Sequence, residues 1–119
     1  MDIKELLSRY AAGQRDFRNL NLIAVNLRNM YLKGANFSGA NLTAANLTRV
    51  NLSHANLTDA NLTAANLTQS NLTRANLTNA NLHDANLNDA NLKYAYLGGA
   101  TMPKVASDQI PKIDAPIGG

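Results

Sequence analysis

A large apolar residue stands at every fifth position from residue 17 to residue 102, and few chain geometries can accommodate that. The eighteen positions are Phe17, Leu22, Leu27, Leu32, Phe37, Leu42, Leu47, Leu52, Leu57, Leu62, Leu67, Leu72, Leu77, Leu82, Leu87, Leu92, Leu97 and Met102. Two residues before each (position i−2, with the large residue as i) sits a mostly small partner. Between Ala35 and Ala100 it is alanine twelve times, interrupted by Val50 and Ser70. The residue just before the large one is usually asparagine, so the unit reads Ala-Asn-Leu-Thr-X. A repeat this regular is settled before any other structural question.

A period of five suits neither common regular structure. Five residues of α-helix overshoot a full turn by about 140°, so the leucines would scatter around the axis. On a continuous strand five is odd, and successive leucines would alternate between faces. A short extended stretch that points i−2 and i inward, followed by a corner, satisfies the pattern. Repeated corners wind the chain into a β-solenoid. Charge placement favours four repeats per coil: no like-charged outward pair is then stacked and Asp84 lies one coil from Lys104, whereas three repeats would stack Arg18 beside Lys33.

The units Ala40-Asn41-Leu42-Thr43-Ala44, Ala60-Asn61-Leu62-Thr63-Ala64 and Ala75-Asn76-Leu77-Thr78-Asn79 resemble the pentapeptide-repeat family. The resemblance spans about three-quarters of the chain. It implies an all-β solenoid, a right-handed quadrilateral β-helix of about four and a half coils, with i−2 and i inside and the other three positions outside. The opening from Met1 to Gly13 resembles the capping helix of cyanobacterial members.

That helix also follows from its own residues. Asp2 suits the N-cap with Glu5 three residues on, approximating a capping box, and Gly13 supplies the stop. Ile3, Leu6, Leu7, Tyr10 and Ala11 share one face, and a solenoid end needs covering. Residues 1–14 are therefore expected to cap the first coil, where Leu20, Val25 and Met30 would meet the helix; lying on a membrane surface is the alternative. Residues 15–104 form the β-helix. Residues 105–119 leave the repeat: Pro103, Pro111, Pro116, Gly118 and Gly119 interrupt any ladder, while Val105, Ile110, Ile113 and Ile117 offer apolar surface. The expectation is an irregular C-terminal cap, with a binding or dimerisation segment as the alternative.

The chain reads as one domain of 119 residues without cysteine, so it carries no disulfide framework. No basic-then-apolar leader and no long apolar run is present, which makes cytoplasmic residence the expectation. Nine Asn-X-Ser/Thr sequons arise from the repeat grammar alone.

Catalytic groupings are missing. Four-repeat coils place His54 and His83 on opposite faces and Asp59, Asp84 and Asp89 on three, so neither a metal site nor a paired-carboxylate site is expected. The repeat hydroxyls from Thr43 to Thr78 have no base to activate them. A lumen packed by Leu and Ala holds no pocket. The chain is read as non-enzymatic, without catalytic, cofactor-binding or metal residues and without cofactors. An ice-binding role is disfavoured because the threonines spread around all four sides.

Some members of the resembled family mimic duplex DNA and bind type II topoisomerases such as gyrase, which needs a dense negative surface. From Arg15 to Lys104 there are eight basic residues against four acidic ones, so that reading is the alternative only. Arg18, Arg28, Lys33, Arg49, Arg74 and Lys93 are read as dispersed, with no basic stripe and no specific nucleic acid or membrane partner, despite a pI near 9.5. What remains is a rod presenting its surface to an unidentified protein partner, as a monomer or weak end-to-end homodimer. The column Ala24, Ala44 and Ala64 is the first candidate contact face, and Gly34, His54, Arg74 and Tyr94 the second.

Overall fold

Parallel bridges, each joining residues twenty apart, order the whole repeat region, from Asp16 with Asn36 to Asn81 with Thr101. The computed structural model describes residues 1–105 and 109–114. Twenty residues are four repeats, so each coil has four sides and each side contributes one bridge residue, normally the asparagine at i−1. The five-residue period predicts short extended stretches. Among the described residues there are only single bridges separated by turns, because the chain bends again after every contact.

From Leu22 to Leu97 each bend is a β-turn in which the carbonyl of the large apolar residue accepts the N–H of the residue three further on, as from Ala65 to Leu62 at 3.0 Å. The third residue of that turn has a positive φ throughout: 59° at Ala44, 61° at Asp59, 59° at Arg74 and 72° at Gly99. Positive φ at the third turn residue alone is the mark of a type II turn. Fourteen non-glycine residues accept this left-handed conformation, among them Asn19, Asn29 and Asn79. For residues other than asparagine and aspartate this costs about 1–2 kcal/mol relative to an ordinary conformation, so the surrounding hydrogen bonds must hold them there.

Those bonds account for every N–H of a repeat. In Ala60 to Ala64, Ala60 donates to Leu57 (3.0 Å), Asn61 to Ala40 in the preceding coil (3.0 Å), Leu62 to Asn81 in the following coil (2.7 Å) and Ala64 to His83 (2.8 Å). The fifth, from Thr63, goes to the Asn61 side-chain oxygen at 3.0 Å. Backbone polar groups close to a core must be paired, and the repeat meets that demand with one side chain per five residues.

Inside, the ladder from Phe17 to Leu92 is buried, as are the small residues from Ala35 to Ala95, including Val50 and Ser70. Phe17 stacks on Phe37 one coil away, with ring centroids 5.5 Å apart. Leu97 and Met102, expected in the core with the others, are only half-buried and pack against its edge, because no full coil follows them.

Helix α1 runs Ile3–Ala11, with Asp2 as N-cap accepting from the Glu5 N–H at 2.8 Å. The Glu5 carboxylate does not return to the cap; it pairs with Arg9 one turn on, so the capping box is half made. Gly13, at φ 101°, ends the turn after the helix. Leu6 is fully buried in the core cluster, with Ile3, Leu7, Tyr10, Leu20, Val25 and Met30 packed against it. Tyr10 and Gln14 donate side-chain bonds to the carbonyls of Lys33 (2.7 Å) and Asp16 (2.8 Å) on the first coil's edge.

Beyond the repeat, Pro103 is buried and Ile113 packs against the core, while Val105 is exposed. Tyr94 donates its N–H to Asp114 at 3.2 Å, bringing the tail back beside the last coil. Pro116, Ile117, Gly118 and Gly119 lie outside the described residues. Among the described residues no helix is long and apolar enough to cross a membrane.

Candidate functional site: the solenoid surface

Outward chemistry is set by three positions per repeat, and the structure shows how much freedom each has. The asparagine at i−1 is committed: its Oδ1 accepts the N–H two residues on in every repeat from Asn36 to Asn56, at 3.0–3.1 Å. The threonine at i+1 is partly committed, since Thr43, Thr63, Thr68 and Thr78 also donate their hydroxyls to that oxygen at 2.6 Å. Hydroxyls tied to a neutral amide are not poised as nucleophiles. Variable chemistry is left to i+2 and to the few repeats that depart from the pattern. Sequence reasoning missed the asparagine's role, although its recurrence at i−1 was the available signal.

The four columns of turns differ. One carries Ile23, Ala24, Ala44 and Ala64, all exposed, with Ile23 at 51% and the alanines at φ 57–59°. Its later members are His83, which lies 3.2 Å from Asp84, and Asp84 itself. The opposite corner, half a coil away, carries Lys33, Gly34, His54, Arg74, Lys93 and Tyr94. A third has Arg28, Arg49 and Asp89, with Arg49 donating to Gln69 at 2.8 Å. The fourth holds Arg18 and Asp59, and the glycines Gly39 and Gly99 leave room for Asn19 and Asn79; a Cβ at Gly39 would sit 2.2 Å from Asn19 Oδ1.

His54 and His83 therefore stand on different corners, as do Asp59, Asp84 and Asp89. The expectation of dispersed basic residues fails on two corners: Arg28 and Arg49 share one, and a longer group gathers on the corner opposite the alanines. Lys33, Arg74 and Lys93 share a corner, because residues 33, 74 and 93 fall within one residue of a common twenty-residue register. Asp16 holds two bonds from the Arg18 guanidinium at 2.9 and 3.0 Å. These bonds hold the Asp16 carboxyl below its ordinary pKa and raise that of Arg18.

A cleft of about 200 Å³ opens at the C-terminal end between Leu87, Asn88, Pro103 and Gln109. Among the described residues no three His, Cys, Asp or Glu side chains gather where they could hold a metal ion.

A fold of this kind, built from five-residue units, points to one class. The family profile "Pentapeptide repeats" matches residues 21–59 and 55–93. The chain belongs to the pentapeptide-repeat family. Its structure is similar to that of alr5209, a pentapeptide repeat protein from Nostoc PCC 7120, with 34% identity, a TM-score of 0.87, and 95% of this chain and 96% of that one covered. It is also similar to AT2G44920, a pentapeptide repeat protein from the Arabidopsis thaliana thylakoid lumen (30% identity, TM-score 0.61, 84% and 66% covered). QnrB1, a plasmid-mediated fluoroquinolone resistance protein, shares the fold at 21% identity, with a TM-score of 0.54 over 83% of this chain and 55% of that one. No curated protein gives a significant sequence match.

Proposed function

We propose that this protein is a non-enzymatic protein-interaction rod: a right-handed quadrilateral β-helix of about four and a half coils, capped by α1 and by its C-terminal segment, and resident in the cytoplasm as a monomer or weak end-to-end dimer. The observation that carries this reading is the commitment of its groups. Leu and Ala fill the lumen, Asn and Thr close the repeat's own hydrogen bonds, and only the turn columns are left to meet another molecule.

Within that surface the column Ala24, Ala44 and Ala64 is the contact face. Glycine or asparagine would occupy a left-handed turn more comfortably, so alanine serves the backbone poorly there while leaving a flat, weakly polar strip. Ile23 extends the strip at its N-terminal end. The positive φ is common to every column, so it is the weakly polar side chains, not the backbone, that single this one out. Ala44→Arg with Ala64→Arg should abolish capture of partners that the parent retains in a pull-down from native extract. Retention of every partner would overturn the assignment of this face.

Topoisomerase binding by DNA mimicry is the alternative, and charge opposes it: the region from Arg15 to Lys104 has eight basic and four acidic residues. An unchanged gyrase supercoiling rate in the presence of the protein is the expected result.

A further inference from the structure

The twenty-residue register assembles one corner whose chemistry differs from the other three. Gly34, His54 and Arg74 donate their N–H groups to Ser53, Thr73 and Lys93, each at 2.9 Å. Lys33, His54, Arg74 and Lys93 thus stand on successive coils, spanning about 14 Å at the usual spacing of paired strands. At the N-terminal end the Tyr10 hydroxyl donates to the Lys33 carbonyl (2.7 Å), its ring meets Tyr31 edge-on at 6.4 Å, and the Arg15 guanidinium lies 3.7 Å over it. At the other end the Arg74 guanidinium lies 4.8 Å over Tyr94. Among the described residues Arg15, Lys33, Arg74 and Lys93 have no carboxylate partner, while Arg9 and Arg18 do. Asp59, Asp84 and Asp89 sit on other corners, and Asp114 reaches this one only at its end, through the backbone bond from Tyr94.

We propose that this corner is a docking strip for an acidic polypeptide segment, rich in Asp and Glu, laid along the rod axis. The proposal rests on the reading of the rod as an interaction module but not on the alanine column, which lies on the opposite side. A row of unpaired cations attracts a row of carboxylates, and guanidinium groups bind carboxylates in a paired geometry. An extended segment of about four or five residues matches the length of the row at 3.3 Å per residue. Single-stranded nucleic acid fits less well, because base binding uses open aromatic faces. Here Arg15 covers Tyr10 and Arg74 covers Tyr94, and among the described residues of this corner only the Tyr31 ring stays largely exposed, too few open rings to stack a run of bases. Two opposed faces of different chemistry would let one rod bridge two partners.

Fluorescence anisotropy with a labelled oligoglutamate of about ten residues tests the strip on the purified protein. The full chain should bind at low salt and release at high salt. Arg74→Glu with Lys93→Glu should weaken binding about tenfold or more, equivalent to about 1.4 kcal/mol. Arg28→Glu with Arg49→Glu changes the net charge equally at matched turn positions and should leave affinity within about twofold. Circular dichroism melting establishes that both variants fold. Equal weakening by the two pairs would show only diffuse attraction and overturn the strip, as would absence of peptide binding by the parent. Tighter binding of oligothymidylate than of oligoglutamate would overturn the assigned partner in favour of nucleic acid. Ala44→Arg with Ala64→Arg should not reduce peptide binding, so failure of the alanine face and failure of the strip give separate results.

Discussion

The Oδ1 atom of Asn61 takes the backbone N–H of Thr63 at 3.0 Å and the Thr63 hydroxyl at 2.6 Å. That bond occupies the one N–H of the repeat that no backbone carbonyl reaches, which explains why asparagine recurs at i−1. Asn61→Leu should lower stability by about 1–2 kcal/mol by leaving a half-buried donor unmet. Asn61→Asp keeps the acceptor and should lose less. Urea denaturation of the two variants makes the comparison.

Leu62 and Ala65 are both buried, yet they are not interchangeable. Leu62→Ala should cost about 2–5 kcal/mol, since coils fixed by hydrogen bonds above and below cannot collapse into the cavity. Ala65→Leu should cost about 1–3 kcal/mol by overpacking. Unchanged melting of either variant would contradict the inward placement of these positions.

How far the sequence discloses this fold depends on whether a position carries one chemical demand or two. Leu62 and Ala65 answer only to burial, so their columns are nearly uniform and the inward pattern is legible. The third turn residue answers to a backbone demand that many side chains tolerate at modest cost. That column therefore mixes Ala44, Arg49, His54 and Asp59, and its shared positive φ leaves only a weak compositional trace, an excess of Gly, Asn and Asp and no β-branched residue. The basic corner was hidden for another reason. Lys33, Arg74 and Lys93 are spread over sixty residues and come together only when the i+1 residues Lys33 and Lys93 are read with the i+2 column Gly34, His54, Arg74 and Tyr94 that the four-repeat register gives.

Ser70 interrupts the alanine column, is buried, and its hydroxyl has no hydrogen-bond partner among the described residues. A buried hydroxyl without a partner costs about 1–3 kcal/mol. Ser70→Ala should therefore stabilise the protein, by about 1 kcal/mol once the lost contacts of the oxygen are allowed for. A calorimetric melt that moves downward would contradict this.

Asn29 is exposed and adopts φ 64°. Asn29→Gly should be close to neutral, because glycine trades relief of strain for greater freedom in the unfolded chain. Asn29→Val places a β-branched residue in the left-handed region and should lose about 1–2 kcal/mol. Equal stabilities for the two variants, measured by chemical denaturation, would argue against the shared turn geometry.

The stacking of residues twenty apart underlies the core, the turns and both proposed faces. It is tested most directly by scalar coupling across a hydrogen bond, observed by NMR on isotopically labelled protein. A coupling is expected from the Leu62 amide nitrogen to the carbonyl carbon of Asn81, the acceptor at 2.7 Å. A coupling from Leu62 to Asn76 instead, as three repeats per coil would give, would contradict it.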